Sequence, residues 1–319
     1  MTQQNRSKPM LLAALLFVQL VVVTWFWWDS SVDENRGTAK LLELVPADVA
    51  ELHIDSPTES IVIQRSDAGW QADELPADAI KVNALLEKLA ALPAAWPVAQ
   101  SEATAQRFEV ADNRYQRKVQ LLNSQDEMIA SFYLGTSPGF QKVHARNADF
   151  KDIYSVSLSN FELPTDLTSW FDKTLLALSA TPDKVVVTGA LLSLGDAILA
   201  PQGEPLTLSN EVSGWTANGQ TANALTLENY LTQLRNLRVI DFAEASAAEP
   251  IATIELFYGG ASQVLSLYQD EVANAYQVTA ATGPAQGRWF RMAKNQGDLL
   301  RLQDQTILPV TETARSEED

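Results

Sequence analysis

The chain of 319 residues contains no cysteine and two histidines, His53 and His144. The lack of cysteine excludes disulfides, thiolate metal sites, cysteine nucleophiles and a lipid-modified N-terminal cysteine. Both histidines fall in strand-like stretches and neither belongs to an H-E-x-x-H spacing, so His144 is interpreted as a partly exposed strand residue. We therefore expect no metal site and no cofactor.

Nucleotide and hydrolase motifs are also missing. The sequence has no G-x-G-x-x-G, no G-x-x-x-x-G-K-[ST] and no G-x-S-x-G, so neither phosphate binding nor a nucleophile elbow has local support. Acidic pairs occur at Asp48 and Glu51, Asp126 and Glu127, and Asp270 and Glu271. The last two pairs fall in predicted turns, where solvated charge is the ordinary state. The prediction is a protein that is not an enzyme and has no catalytic residues.

Basic residues are scarce relative to acidic ones. Lysine and arginine number 23 against 40 aspartates and glutamates, which gives a formal charge of -17. Such a surface repels nucleic acid phosphates. Nucleic acid is therefore excluded as an expected partner.

The longest uncharged run lies near the N-terminus, from Met10 to Trp28. As a helix this run would span about 28 Å, close to the hydrocarbon thickness of a bilayer. Arg6 and Lys8 precede it and acidic residues follow, so the positive-inside rule places residues 1–9 in the cytoplasm and exports the rest. An uncleaved anchor is favoured over a signal peptide, whose apolar region would be shorter.

Two features of this predicted transmembrane helix concern specific side chains. Trp25, Trp27 and Trp28 stand where an interfacial aromatic belt belongs. Gln19 is a possible contact inside the membrane, although an isolated tolerated polar residue is the simpler interpretation. The expected localisation is the bacterial inner membrane, single-pass, with the bulk of the chain in the periplasm.

The exported part contains an internal repeat. At an offset of 145 residues, the segment from Gly69 aligns with that from Gly214, with eight identities in twenty-four positions. The offset then falls to 135, pairing Phe132 with Leu267 and placing Tyr154 opposite Trp289. A ten-residue deletion between Leu237 and Ile254 in the second copy accounts for the change.

Each copy predicts a strand, a Gly-Trp turn, one amphipathic helix and then a meander of short strands. The helices carry apolar stripes at Val82, Leu85, Leu86, Leu89 and Leu92, and at Leu227, Tyr230, Leu231, Leu234 and Leu237. Such spacing buries one helix face against a sheet. The predicted class is α+β: a transmembrane helix followed by two tandem homologous repeats, each an antiparallel sheet packed with a helix.

Tryptophans are the remaining candidates for a binding face. Trp70 and Trp215 recur at equivalent places and are interpreted as core anchors of the repeats, not as ligand-stacking platforms. Trp96, Trp170 and Trp289 have no such counterpart, so any of them is a candidate for a binding surface.

Several segments together resemble the bacterial DUF4340 family, from about Leu44 to Leu302. They are the Gly-Trp at Gly69, the Tyr-Leu-Gly at Tyr133–Gly135 and the Trp-Phe-Asp-Lys-x-Leu-Leu run at Trp170–Leu176. The resemblance implies an accessory role beside ABC-2-type transporter subunits, similar to the gliding-motility-associated system. The chain departs from the family's usual Tyr-Gly-Leu at Arg107–Val110, which puts the local turn in doubt.

The predicted organisation is a cytoplasmic N-terminus (1–9), a transmembrane helix (10–28), a linker (29–44), two repeats (45–178 and 179–308) and a disordered acidic tail (309–319). The expected function is a non-enzymatic, membrane-anchored periplasmic scaffold of an inner-membrane ABC-type transporter. Its partners would be the permease and associated subunits, the ATPase indirectly, and lipid through one helix. The alternative is a periplasmic module that binds envelope glycan or lipid in the groove between the repeats.

Overall fold

The computed structural model describes residues 16–21, 23–24, 40–94, 96–190, 192–194, 197–199, 205–270, 274–302 and 307. Contacts group the chain into two compact units. The first comprises the residues up to Trp70 together with Ala79–Ser169, and the second comprises Gln71–Asp78 together with the residues from Trp170 onward. The contact boundary near residue 170 thus lies before the predicted boundary at residue 178.

The predicted membrane anchor is described in part. Residues 16–21 and 23–24 are helical, and Gln19 is exposed. The rest of the predicted span, with Trp25, Trp27 and Trp28, lies outside the described residues, as do most of the linker and the tail. Among the residues that are described, no helix combines the length and the apolar character needed to cross a membrane.

The first sheet is antiparallel, with eight strands in the order β10-β9-β8-β7-β1-β2-β3-β4. Its strands are β1 Glu51–Asp55, β2 Ser60–Ser66, β3 Gly69–Ala72, β4 Leu75–Pro76, β7 Arg117–Leu122, β8 Met128–Leu134, β9 Val143–Asn147 and β10 Ile153–Val156. Helix α1 spans Ala79–Ala90, and helix α2 spans Glu102–Phe108. A short separate hairpin pairs β5 Val110–Ala111 with β6 Arg114–Tyr115.

The second sheet has the order β16-β15-β14-β11-β18-β19-β20-β21-β17. Its strands are β11 Lys184–Thr188, β14 Leu206–Glu211, β15 Gly214–Ala217, β16 Gln220–Thr221, β17 Asp241–Phe242, β18 Ala252–Tyr258, β19 Ala261–Asp270, β20 Ala275–Ala280 and β21 Trp289–Ala293. A separate hairpin joins β12 Leu192–Leu194 to β13 Ala197–Leu199. Helix α3 spans Ala224–Arg235, and α4 spans Lys294–Leu300.

The predicted α+β class with antiparallel sheets is confirmed. The predicted stripe of α1 is buried as expected, and so is that of α3, including Leu92 and Leu237 just beyond the helix ends. Strands alternate between buried and partly exposed residues, as in β1 and β18, because successive side chains point to opposite sheet faces. One face of each sheet therefore forms the core.

The two sheets follow the same path where a hairpin precedes the helix. Gly69 and Gly214 both have positive φ, 114° and 110°, which a side chain would strain. Each hairpin then turns through two residues of positive φ, as type I′ turns require: Asp73 with Glu74, and Asn218 with Gly219. Asn223 caps α3 by accepting hydrogen bonds from Leu225 and Thr226.

Candidate functional site

The connection between β8 and β9 forms an ordered turn with a phenylalanine at its tip. The Ser137 hydroxyl donates to the carbonyls of Gly139 and Lys142, each at 2.7 Å. The Lys142 amide also donates to the Gly139 carbonyl at 3.2 Å. These bonds hold the turn while Phe140 remains 89% exposed.

A second exposed phenylalanine stands on a capped 3-10 turn, Asn160–Glu162. Ser159 accepts from the Phe161 amide, and Glu162 accepts from the Ser159 amide at 2.9 Å, which makes a reciprocal capping box. The Asn160 side-chain nitrogen, Nδ2, donates to the Gly135 carbonyl at 2.9 Å. Phe161 is nevertheless 94% exposed.

A concavity of about 620 Å³ lies beside these turns, lined by Lys88, Phe140, Gln141, Lys142, Ser157, Ser159 and Glu162. Lys88 on α1 forms an ion pair with Glu162, which ties the 3-10 turn to the helix. We call Phe140, Phe161 and this concavity the phenylalanine face. Two large apolar rings on ordered turns, with polar groups around them, are what a protein interface offers as anchors.

A neighbouring cleft of about 630 Å³ is lined by Pro57, Glu109, Asn113, Arg114, Tyr115, Gln116 and Arg117. Its charges are satisfied internally. Hydrogen bonds from Gln116 and then from Arg114 hold the pKa of the Glu109 carboxyl below its usual range. Arg117 donates to the Leu163 carbonyl at 2.8 Å, and burial lowers its pKa. The charged side chains that line the cleft, Glu109 and Arg117, therefore hold neighbouring segments together and are already hydrogen-bonded within the protein.

His144 lies on β9, as predicted, but it is buried and not partly exposed. The prediction of its exposure is wrong because Phe108, at the end of α2, stacks on the imidazole with ring centroids 3.9 Å apart. The imidazole Nδ1 lies 3.0 Å from the Thr136 hydroxyl. Burial lowers the pKa of His144, which favours the neutral ring.

The adjacent Arg146 is buried as well, and its contacts are structural. The guanidinium donates to the carbonyls of Val110, Ala148 and Phe150, and forms an ion pair with Asp112. It also lies 4.7 Å from the centre of the Tyr133 ring. These bonds fasten the β5–β6 hairpin to β9.

The predicted core anchors differ in burial. Trp70 is buried; its indole donates to the Asn83 side chain at 3.0 Å, and Arg65 lies over the ring at 4.8 Å. Trp215, on β15, is partly exposed. Their role as anchors of a repeat stays a prediction.

The three remaining tryptophans are placed differently from one another. Trp96 is exposed and Trp289 partly exposed. Trp170 is fully buried, so it is excluded as a binding surface. Its carbonyl accepts from the Asp78 amide, and it begins the Trp-Phe-Asp-Lys run.

The rest of that run also has structural contacts in the second unit. Phe171 packs against Phe242 and Phe290, with ring centroids at 4.9 and 5.7 Å. Asp172 accepts from the amide and hydroxyl of Thr174. Lys173 lies over the Phe171 ring at 3.7 Å. The side chains of this motif therefore make packing and turn contacts within the second unit and do not form a reactive site.

Within the described part of the chain, no group of three or more His, Asp and Glu side chains is arranged to hold a metal ion. The exposure of Phe140 and Phe161 had no signal in the sequence, because each stands singly in a polar stretch without periodicity. Only their fixed backbone turns reveal them.

Comparison with known families gives one match. The family model described as Domain of unknown function (DUF4340) matches residues 70–254, which is more than half of the chain. No curated protein and no solved structure matches. The chain therefore belongs to the DUF4340 family.

Proposed function

We propose that this protein is a non-enzymatic, membrane-anchored scaffold that docks a protein partner through the phenylalanine face. The exposure of Phe140 and Phe161 on hydrogen-bonded turns carries the proposal. An anchor that is already ordered loses little conformational entropy on binding, so more of its apolar burial appears as affinity. Interfaces commonly concentrate their energy in a few such side chains.

The partner we propose is the permease of an inner-membrane ABC-type transporter with its associated subunits, the ATPase being reached indirectly. This part rests on the resemblance of the motifs at Gly69, Tyr133–Gly135 and Trp170–Leu176 to the DUF4340 family. A scaffold needs rigid surfaces and no reactive groups, and the internal satisfaction of His144 and Arg146 agrees with that requirement.

Copurification from mild detergent tests the docking surface. We expect the native chain to recover permease and ATPase, and the double variant Phe140→Ala/Phe161→Ala to recover at least about tenfold less, since each anchor contributes on the order of 2 kcal/mol. Phe150→Ala is the matched control, because Phe150 is also exposed but stands on the β9–β10 connection. Recovery of the native chain alone, or an equal loss with Phe150→Ala, would contradict the proposal.

The proposed membrane topology places residues 10–28 in the inner membrane, residues 1–9 in the cytoplasm and the two predicted repeats, 45–178 and 179–308, in the periplasm. The charge distribution around the apolar run supports it. The cysteine-free chain allows single-cysteine probes at Ser7 and Ser124. A membrane-impermeant maleimide should label Ser124→Cys and not Ser7→Cys in spheroplasts, and the reverse pattern would refute this orientation.

We also propose that the two large sheets, each with the helix that follows its hairpin, are copies of one duplicated fold. The same order of eight strands supports this, together with the positive φ of Gly69 and Gly214 and the paired type I′ turns before α1 and α3. Independent origins rarely reproduce such a path together with its special backbone positions. An experimental structure with different strand orders in the two sheets would disprove the duplication.

A further inference from the structure

The second sheet has one face in the core and one face turned away from it. On the core face, Leu267, Val278 and Phe290 are opposite one another and fully buried. Strand pairing places the alternate residues on the other face, which we call the outer face. Its rows are Ser266–Thr279–Trp289 and Tyr268–Gln277–Arg291, and all six side chains are partly exposed.

Two aromatic rings lie together on this outer face. The centroids of Tyr268 and Trp289 are 4.6 Å apart, with the ring planes inclined at 48°. Trp289 was one of the tryptophans that the sequence left as a candidate binding residue. An aromatic surface of this kind accepts the C–H face of a flat, partly apolar ligand and leaves its polar edges free.

Gln277 stands between these rings and a charged pair. Its Oε1 atom is buried but has no hydrogen-bond partner within the part of the chain that the structure describes. A buried acceptor without a donor is costly, so a rotation of the partly exposed Gln277 side chain that brings this oxygen to an N–H or O–H group of a ligand is favoured. The residues that pair with Gln277 on the two adjacent strands are Tyr268 and Arg291, which add a hydroxyl and a guanidinium.

The charges of the outer face indicate the kind of ligand. Arg291 donates to Asp270 at 3.2 Å, and Asp241 lies opposite Arg291 in the strand pairing. Glu255 follows on the same face along β18. The carboxylates outnumber the guanidinium, in a chain of net charge -17. This field disfavours an anionic ligand and leaves hydroxyl and amide groups as the better partners.

We propose that this outer face binds a neutral carbohydrate chain, with a sugar ring on Trp289 and a hydroxyl or acetamide donor on Gln277 Oε1. A sugar ring combines an apolar C–H face with hydroxyl donors at its edge, which matches the placement of the aromatic and polar groups. The inference uses residues of the second unit alone and is independent of the phenylalanine face.

Calorimetric titration of the full-length chain with fully N-acetylated chitohexaose, a neutral oligosaccharide with acetamide groups, tests the proposal, in a detergent without a sugar head group. We expect saturable binding that Trp289→Ala weakens at least about tenfold, because it removes the ring on which the sugar stacks. Gln277→Leu removes the acceptor at similar volume and is expected to weaken binding about fivefold or more. Trp96→Ala removes another exposed tryptophan and should leave binding unchanged.

Two further variants keep the test decisive. Trp289→Phe retains a stacking ring if Trp289→Ala fails to fold, and an affinity between those of the native chain and Gln277→Leu is expected. Phe161→Ala should bind chitohexaose normally, which separates this proposal from the docking function. Absence of binding to the native chain, preference for an anionic polysaccharide such as alginate, or an equal loss with Trp96→Ala would overturn the carbohydrate site.

Discussion

The outer faces of the two sheets differ in what covers them. In the first unit, Ala105 of α2 and Val110 and Ala111 of the β5–β6 hairpin pack on Tyr133 and Ile153 in one buried cluster. In the second unit, the connection between α3 and β18 is described throughout and contains no helix, only the two-residue strand β17. The segment with α2 and the β5–β6 hairpin therefore covers part of one sheet face, while the described side chains on the other face are partly exposed.

Under the proposed duplication, the strand pairing indicates which residues correspond in the two sheets. Ile153 and Trp289 each stand on the last strand of the meander, opposite Arg146 and Thr279 respectively. His144 lies two residues before Arg146 on β9, and Gln277 lies two residues before Thr279 on β20, so each is on the same sheet face as that residue. The covered face of the first sheet thus has Ile153 and the stacked His144. At the corresponding places the second sheet has Trp289 and Gln277, whose side-chain oxygen has no partner among the described residues.

The largest expected difference concerns the two tryptophans of the Gly-Trp turns. Trp70→Ala removes a buried ring and leaves a cavity, which costs about 3 to 5 kcal/mol. Trp215→Ala removes a ring that is already partly in water, so about half that loss or less is expected. Urea unfolding of both variants measures the difference. Equal losses would show that the second unit buries its tryptophan as fully as the first.

Helix α2 and the β5–β6 hairpin together form what we call the cover of the first sheet. Arg146→Met tests whether Arg146 holds this cover in place. The change leaves three carbonyls without their buried donor, whereas the exposed Asp112 carboxylate is solvated by water, and a loss of about 2 to 4 kcal/mol is expected. Arg114→Met is the control, since the Arg114 side chain is 59% exposed and its pair with Glu109 should contribute under about 1 kcal/mol. Similar midpoints for the two variants in thermal unfolding would argue against Arg146 as the fastening residue.

Gly135→Ala probes how closely the cover approaches the sheet. A Cβ at this glycine would lie 1.9 Å from the Phe108 carbonyl oxygen, a backbone atom at the end of α2. The cover must shift, at an expected cost of about 1 to 3 kcal/mol. Gly139→Ala meets nothing within 4 Å and should be nearly neutral. Chemical denaturation distinguishes the two, and equal stabilities would place α2 farther from the sheet.

Much of this architecture follows from sequence pattern. The meander of short strands predicted after the first helix is present as β7 to β10, because alternation of apolar and polar residues is typical of a sheet with one buried face. The change of offset from 145 to 135 falls in the connection that holds α2 and the β5–β6 hairpin in the first unit. Under the proposed duplication, the offset predicts where the extra segment lies but not what structure it has.

The rest depends on contacts between distant segments. Strand pairing sets Phe132 opposite Val119 and Leu265 opposite Ile254, so under the proposed duplication Phe132 corresponds to Leu265, whereas the offset paired it with Leu267. Ile153 likewise corresponds to Trp289, whereas the offset paired Tyr154 with Trp289. The longer β7–β8 turn and its bulge cause the shift. The burial of Trp170 and His144 likewise depends on other segments, since a residue's own pattern does not specify what packs over it.

The smallest expected effect is a pH dependence confined to the covered face. Burial, with a smaller contribution from the nearby Arg107 charge, lowers the pKa of His144, although a hydrogen bond with the Thr136 backbone acts in the opposite direction. The folded protein therefore keeps this ring neutral at pH values where the unfolded chain takes up a proton. The contribution is present above the usual histidine pKa of 6.5 and is lost as the pH falls below it. The free energy of unfolding should decline toward acid pH.

His144→Gln, which places in β9 the residue type that β20 carries at Gln277, should flatten this decline between about pH 7 and pH 5 in urea titrations. His53→Gln changes the other histidine of the chain, which lies on β1, so the difference between the two variants isolates the contribution of His144. An unchanged slope in His144→Gln would mean that Phe108 does not keep the ring from water, and the contrast between a covered and an open face would then lose its clearest energetic consequence.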